Sequence, residues 1–157
     1  MREASFLSLS TKYPYSTLLL GLLLLTAACT SRSGGDSSPK FNQYYVKGEQ
    51  LYIQHCSNCH QENGKGLGLL YPPLDTSDFM QKNLEDVVCL IKNGKEGILV
   101  VNGKSFNGKM PALTISDLEI AQITTYIYNT WSHQRGLLDV KLVSDILNSC
   151  DTLSSKN

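Results

Sequence analysis

The sequence predicts an all-α domain with an extra helix at its C-terminal end. Three observations carry this. Leu84, Val87, Val88 and Ile91 fall on one face of a helix, with Asn83 as a cap before them and Gly94 as a stop after. Ser116-Asp117-Leu118-Glu119 has the form of a capping box and opens a further helix that should run to about Trp131. Leu138, Leu142 and Ile146 then recur every four residues, with Val143 and Leu147 beside them. The expected organisation is a leader over 1–28, a flexible tether over 29–43, the main domain over 44–135 and a helical extension over 136–157.

The leader has Arg2 and Lys12 ahead of a short apolar core, Leu18 to Leu25, interrupted only by Gly21. That core is too short to span a bilayer as a helix, which takes about 20 residues, and reads as a secretory signal. It ends Leu25-Thr26-Ala27-Ala28-Cys29, which resembles a bacterial lipobox with Thr26 in place of the usual Leu. The resemblance implies cleavage before Cys29, lipidation of its sulfur and attachment to a membrane. Ordinary cleavage after an Ala-x-Ala-like site, or an uncleaved anchor, is the alternative. Thr30 to Asn42 is rich in Ser and Gly and suits a tether. Without residues 1–28 the chain keeps 12 basic and 13 acidic side chains, since the leader removes two of 14 and one of 14. Such a balance offers no basic stripe for nucleic acid.

Tyr44 to His55 is expected as the first helix of the domain, with Tyr45, Leu51 and Tyr52 on one face. Gly48 in its interior costs about 1 kcal/mol relative to Ala, so it points to a close crossing by another helix. Immediately after comes Cys56-Ser57-Asn58-Cys59-His60, the attachment signature of a c-type haem. Residues three and four apart share a helical face. Cys56 and Cys59 can each form a thioether with a haem vinyl group while His60 reaches the iron. A zinc site would need two more closely spaced ligands, and His55, His60, His133, Cys89 and Cys150 repeat no zinc-ribbon or zinc-finger spacing. A thioredoxin-like pair would follow a buried strand, whereas an amphipathic helix precedes this one.

Gly48-x-x-x-Tyr52, three residues, then Cys56-x-x-Cys59-His60 resembles the first helix of the class I cytochromes c. The resemblance covers Tyr44 to about Ser132. It implies a helical fold around one covalent haem c, with the Gly and aromatic packed against an aromatic on the last main helix, here Tyr126. Leu118, Ala121, Ile123, Tyr126 and Ile127 would form that helix's apolar side. In the loop Gln61 to Met80, Tyr71-Pro72-Pro73-Leu74 is similar to the family's proline loop. That likeness gives Pro72 the carbonyl that accepts from the proximal His, and sets Leu74 against the haem. In the loop Lys95 to Ile115, Met110-Pro111 stands where the family places its distal Met ligand. Met80, the competitor, lacks that setting. The end of the last main helix is especially similar to cytochrome c domains serving quinoprotein dehydrogenases and copper enzymes.

The resemblance implies a single-electron carrier with His60 and Met110 as axial ligands, cycling between ferrous and ferric iron, and not an enzyme. Redox proteins would be its donor and acceptor, on the periplasmic side of a bacterial membrane, with the lipid anchor as its membrane contact. A haem enzyme or gas-binding sensor would instead need an open or labile sixth position. Lys92, Lys95, Lys104 and Lys109 against Glu96 make the Met110 loop locally basic, which would suit an acidic partner. Cys89 faces outward between Glu85 and Lys92, and Cys150 ends the extra helix. In an oxidising compartment the two are expected to pair as that helix folds over the one bearing Cys89.

Overall fold

The computed structural model describes residues 38–150. The expected leader, the expected lipidation site Cys29 and most of the expected tether lie outside the described residues. Among these residues no helix is long and apolar enough to cross a membrane.

Helix α1 spans Pro39–His55 and starts earlier than Tyr44, inside the stretch expected to be tether. Ser38 caps it by accepting from the Phe41 N–H at 3.1 Å, and Pro39 occupies a first-turn position where no N–H is needed. Its buried side is Tyr44, Gly48, Leu51 and Tyr52. Tyr44 therefore takes the core position expected of Tyr45, which instead stacks at the edge on Phe41 and Tyr126, at centroid distances of 5.8 and 5.2 Å.

The short helices α2 (Ser57–His60) and α3 (Asp78–Lys82) follow, then α4 (Leu84–Asn93). Leu84, Val87, Val88 and Ile91 are buried as the pattern requires. Asn83 stands at the cap position of α4, but its side chain bonds back to the Phe79 carbonyl and caps nothing. The loop after α4 contains an unexpected antiparallel hairpin, β1 (Ile98–Val101) with β2 (Lys104–Asn107). Its turn is Asn102-Gly103, with φ of 51° and 70°. Asn-Gly between apolar residues is the strongest short hairpin signal, because both central positions need positive φ.

Helix α5 (Asp117–Ile127) is the centre of the fold. Ser116 and Glu119 form both halves of the capping box: the Glu119 N–H donates to Ser116 Oγ and the Ser116 N–H to the Glu119 carboxylate. Every residue from Ile120 to Ile127 is buried, because α1 packs on one side and α6 (Val140–Leu147) on another. Thr125 is tolerated there because its hydroxyl bonds the backbone of Leu138. Leu118 sits in the first turn, short of the packing, and is exposed. At the α1–α5 crossing a Cβ on Gly48 would overlap the Gln122 carbonyl and lie 2.8 Å from the Tyr126 Cβ. Only Gly allows that approach.

α5 ends at Ile127 rather than near Trp131. Asn129 takes over the backbone groups beyond: its Nδ2 donates to the Thr125 and Gly136 carbonyls, and its Oδ1 accepts from the Arg135 and Gly136 N–H groups. A side chain that satisfies the backbone in this way competes with helix continuation. In α6, Val143 and Ile146 are buried while Leu142 is exposed, and Leu138 packs from the segment before the helix. Cys89 and Cys150 are joined by a disulfide, S–S 2.05 Å and Cα–Cα 5.6 Å, which holds the segment just after α6 to α4.

Candidate haem site

Four segments converge on one apolar cavity. It has two lobes of about 110 and 80 Å³, and Cys56, His60, Pro72, Leu90, Leu99 and Met110 border both. α1 and α2 bring Cys56, Cys59 and His60 to the wall as one unit. The chain closes that turn through bonds from the Cys59 and His60 N–H groups to the Cys56 carbonyl, at 3.1 and 3.0 Å. Both cysteines are free thiols. Burial, and then the neighbouring Cys59, push the Cys56 thiol up to about 12, so it stays protonated.

His60 Nδ1 lies 3.0 Å from the Pro72 carbonyl oxygen. A carbonyl can only accept, so Nδ1 carries the proton and Nε2 keeps its lone pair. Burial lowers the His60 pKa against the opposing effect of the Pro72 bond, which favours the neutral imidazole that can ligate a metal. Leu74 borders the second lobe beside Pro72 and Pro73. The loop carrying these residues is drawn in at Gly66, where a Cβ would strike the Tyr71 and Pro72 carbonyls.

Met110 approaches from the other wall. Its backbone exchanges two hydrogen bonds with Lys95, at 2.9 and 2.8 Å, and its carbonyl sits so close to Gly94 that a Cβ there would be 2.5 Å away. Met80 borders the second lobe but is only 2 % exposed and belongs to the core cluster; its carbonyl accepts from the Tyr128 hydroxyl at 2.7 Å. The basic loop is less available than its sequence suggests. Lys109 pairs with Glu96 at 2.5 Å, and Lys92 donates to the Ile115 carbonyl. The rim instead displays Leu69 and Leu70, 67 and 66 % exposed, with Leu70 bordering the first lobe.

Residues 45–131 match the family model Cytochrome c. The chain belongs to the cytochrome c family. It is 32 % identical over 99 residues to cytochrome c-552 of Thermus thermophilus, covering 60 % of this chain and 75 % of that protein. It is also 30 % identical over 101 residues to the cbb3-type cytochrome c oxidase subunit FixP of Azorhizobium caulinodans, covering 62 % of this chain and 31 % of FixP. As a class I cytochrome c the chain carries one covalently bound haem c. The residues present fit that group: two free thiols at the rim of an apolar cavity, a neutral imidazole on one wall and a thioether on the other. Sequence reasoning read Trp131 only as the end of the last main helix and gave Ser132 and His133 no part in the site; all three bond to or pack on the loop 61–80 from the turn after α5. Their signal is tertiary and has no local pattern.

Proposed function

We propose that this cytochrome c is a one-electron carrier whose iron is held by His60 and Met110. The observation that carries the reading is that both side chains, and both walls they stand on, border the same apolar cavity. Haem c supplies the ferrous/ferric couple. Cys56 and Cys59 would hold it covalently, and the Pro72 carbonyl orients the His60 ring and raises its donor strength. The Met110 thioether is soft and favours the ferrous state. With both residues engaged, no coordination position serves a substrate, so the protein is not an enzyme.

Leu69 and Leu70 at the rim support electron exchange with a partner through an apolar contact that Lys95 and Lys109 flank. The likeness to an oxidase subunit supports an oxidase as the electron acceptor, and the export signal with Cys29 supports a lipid-anchored protein on the periplasmic side. Mass spectrometry of the mature N-terminus tests the anchor: an unmodified Cys29 removes it. Ligation is tested by the weak far-red band of Met-ligated ferric haem. It should vanish in Met110→Ala and persist in Met80→Ala, and the opposite pattern would overturn the assignment.

A further inference from the structure

The loop that accepts the His60 hydrogen bond is pinned at its start by its own backbone, through the Leu67–Tyr71 bridge and the Gly66 N–H on the His60 carbonyl, but its later part draws on support from elsewhere. Pro72 and Pro73 have no N–H to donate, and the next two N–H groups, of Leu74 and Asp75, both converge on the Gly64 carbonyl, at 2.7 and 3.0 Å. The loop's far end is held from the turn after α5. Ser132 Oγ accepts from the Thr76 N–H at 2.8 Å, and His133 Nε2 lies 2.8 Å from the Leu74 carbonyl. That carbonyl can only accept, so His133 is the donor. Trp131 lays its indole on Gly64, where a Cβ would meet three ring atoms at 2.8 Å.

Strain marks the same place. Thr76 and Trp131 have φ of 55° and 57°, a region that bulky and β-branched residues avoid. Such conformations persist only where the surroundings over-determine them, and they gather at functional sites. The turn is held in turn by the four hydrogen bonds of Asn129.

We propose that His133 is a positioning residue for the proximal imidazole. By fixing Leu74, with Ser132 as a second attachment, it keeps the Pro72 carbonyl on the Nδ1 proton of His60 and so sets the donor strength of Nε2. This rests on His60 being the proximal ligand. A firm bond at Nδ1 favours ferric iron; loosening the loop weakens it, favours ferrous iron and raises the midpoint potential.

The test uses the covalently loaded protein and two variants. His133→Phe keeps a ring beside Tyr128 but has no donor, whereas the His133→Gln amide can still donate to Leu74. Midpoint potential is read by optical redox titration and exchange of the His60 Nδ1 proton by NMR. His133→Phe should raise the ferrous-to-ferric ratio at fixed potential by up to about tenfold, or about 59 mV for a one-electron couple, and speed the exchange. His133→Gln should restore both. A wild-type potential and exchange rate in His133→Phe overturns the proposal, as does equal loss of thermal stability in both variants with no change in potential. If His133→Phe does not load haem, Ser132→Ala decides on the same readouts, because that hydroxyl is exposed: a higher potential supports the proposal and an unchanged one overturns it. Absence of the far-red band from the unsubstituted protein would defeat the Met110 reading alone.

Discussion

The two walls of the cavity are held by different kinds of interaction. On the His60 side, side chains from the far end of the domain reach in: Trp131 on Gly64, Ser132 on Thr76 and His133 on Leu74. On the Met110 side, support is local and mostly backbone: the paired hydrogen bonds with Lys95, the close approach to Gly94 and a two-stranded hairpin. The first wall adds side-chain contacts from a distant segment to its own backbone bonds, whereas the second rests mostly on local backbone pairing. Changes to the distal wall should therefore alter ligation before they alter folding, while changes to the core beneath the proximal wall should do the reverse.

The two methionines offer the largest test of that difference. Met80 is fully packed, so Met80→Ala should lower the unfolding free energy by about 2–5 kcal/mol in urea titrations, with the far-red band retained. Met110→Ala should abolish the band and admit carbon monoxide to the ferrous protein. A Met80→Ala variant that lost the band at unchanged stability would show that Met80, and not Met110, is the sixth ligand.

Next in size is the disulfide, whose cysteines line neither lobe of the cavity and which closes a sequence separation of 61 residues. Replacing both Cys89 and Cys150 with Ser should cost about 2–4 kcal/mol, chiefly by freeing the unfolded chain. Midpoint potential and ligation should stay unchanged. A shift in potential would show that the segment just after α6 acts on the cavity through α4. Smaller still is Gly103→Ala, which forces a side chain into positive φ at the hairpin turn and should cost about 1 kcal/mol. Its effect should appear as faster amide exchange in β1 and β2, with the His60 side undisturbed.

What could be read from sequence follows the range of the interactions. The haem motif is contiguous, the capping box spans four residues, and the apolar stripe of α4 repeats within one helix. Gly48 was legible because an unfavourable residue in a helix interior asks for a packing reason, and α5 supplies it. The start of α1 was obscured because Ser38 and Pro39 suit a tether by composition, though they also make a good helix cap. The hairpin was legible in Asn102-Gly103 but hidden by the neighbouring Met-Pro signal. The brace formed by Trp131, Ser132 and His133 could not be read. Its partners are 56 to 67 residues away, and nothing in the local sequence points to them.

The smallest effect comes from the cap of α5, the helix that both walls share. Ser116→Ala removes the side chain that caps the Glu119 N–H and should cost about 1 kcal/mol at neutral pH. The Glu119 carboxylate accepts from the Ser116 N–H at 2.8 Å and its hydroxyl at 2.7 Å. These bonds, the backbone one first, hold its pKa below the ordinary value of 4.5. A depressed carboxylate stabilises the fold fully above its unfolded pKa and loses that contribution as pH falls through the folded value. Glu119→Gln keeps the form of the box but has no charge to lose. The stability gap between wild type and Glu119→Gln, taken from urea midpoints, should thus be widest near neutral pH and close as pH drops below about 4.5. Potential and far-red band should not move with it, since neither Ser116 nor Glu119 lines the cavity. A gap that grew in acid would mean that the ionised carboxylate destabilises the helix start. A potential that followed the gap would mean that the two walls are coupled through α5, and the contrast between them would fail.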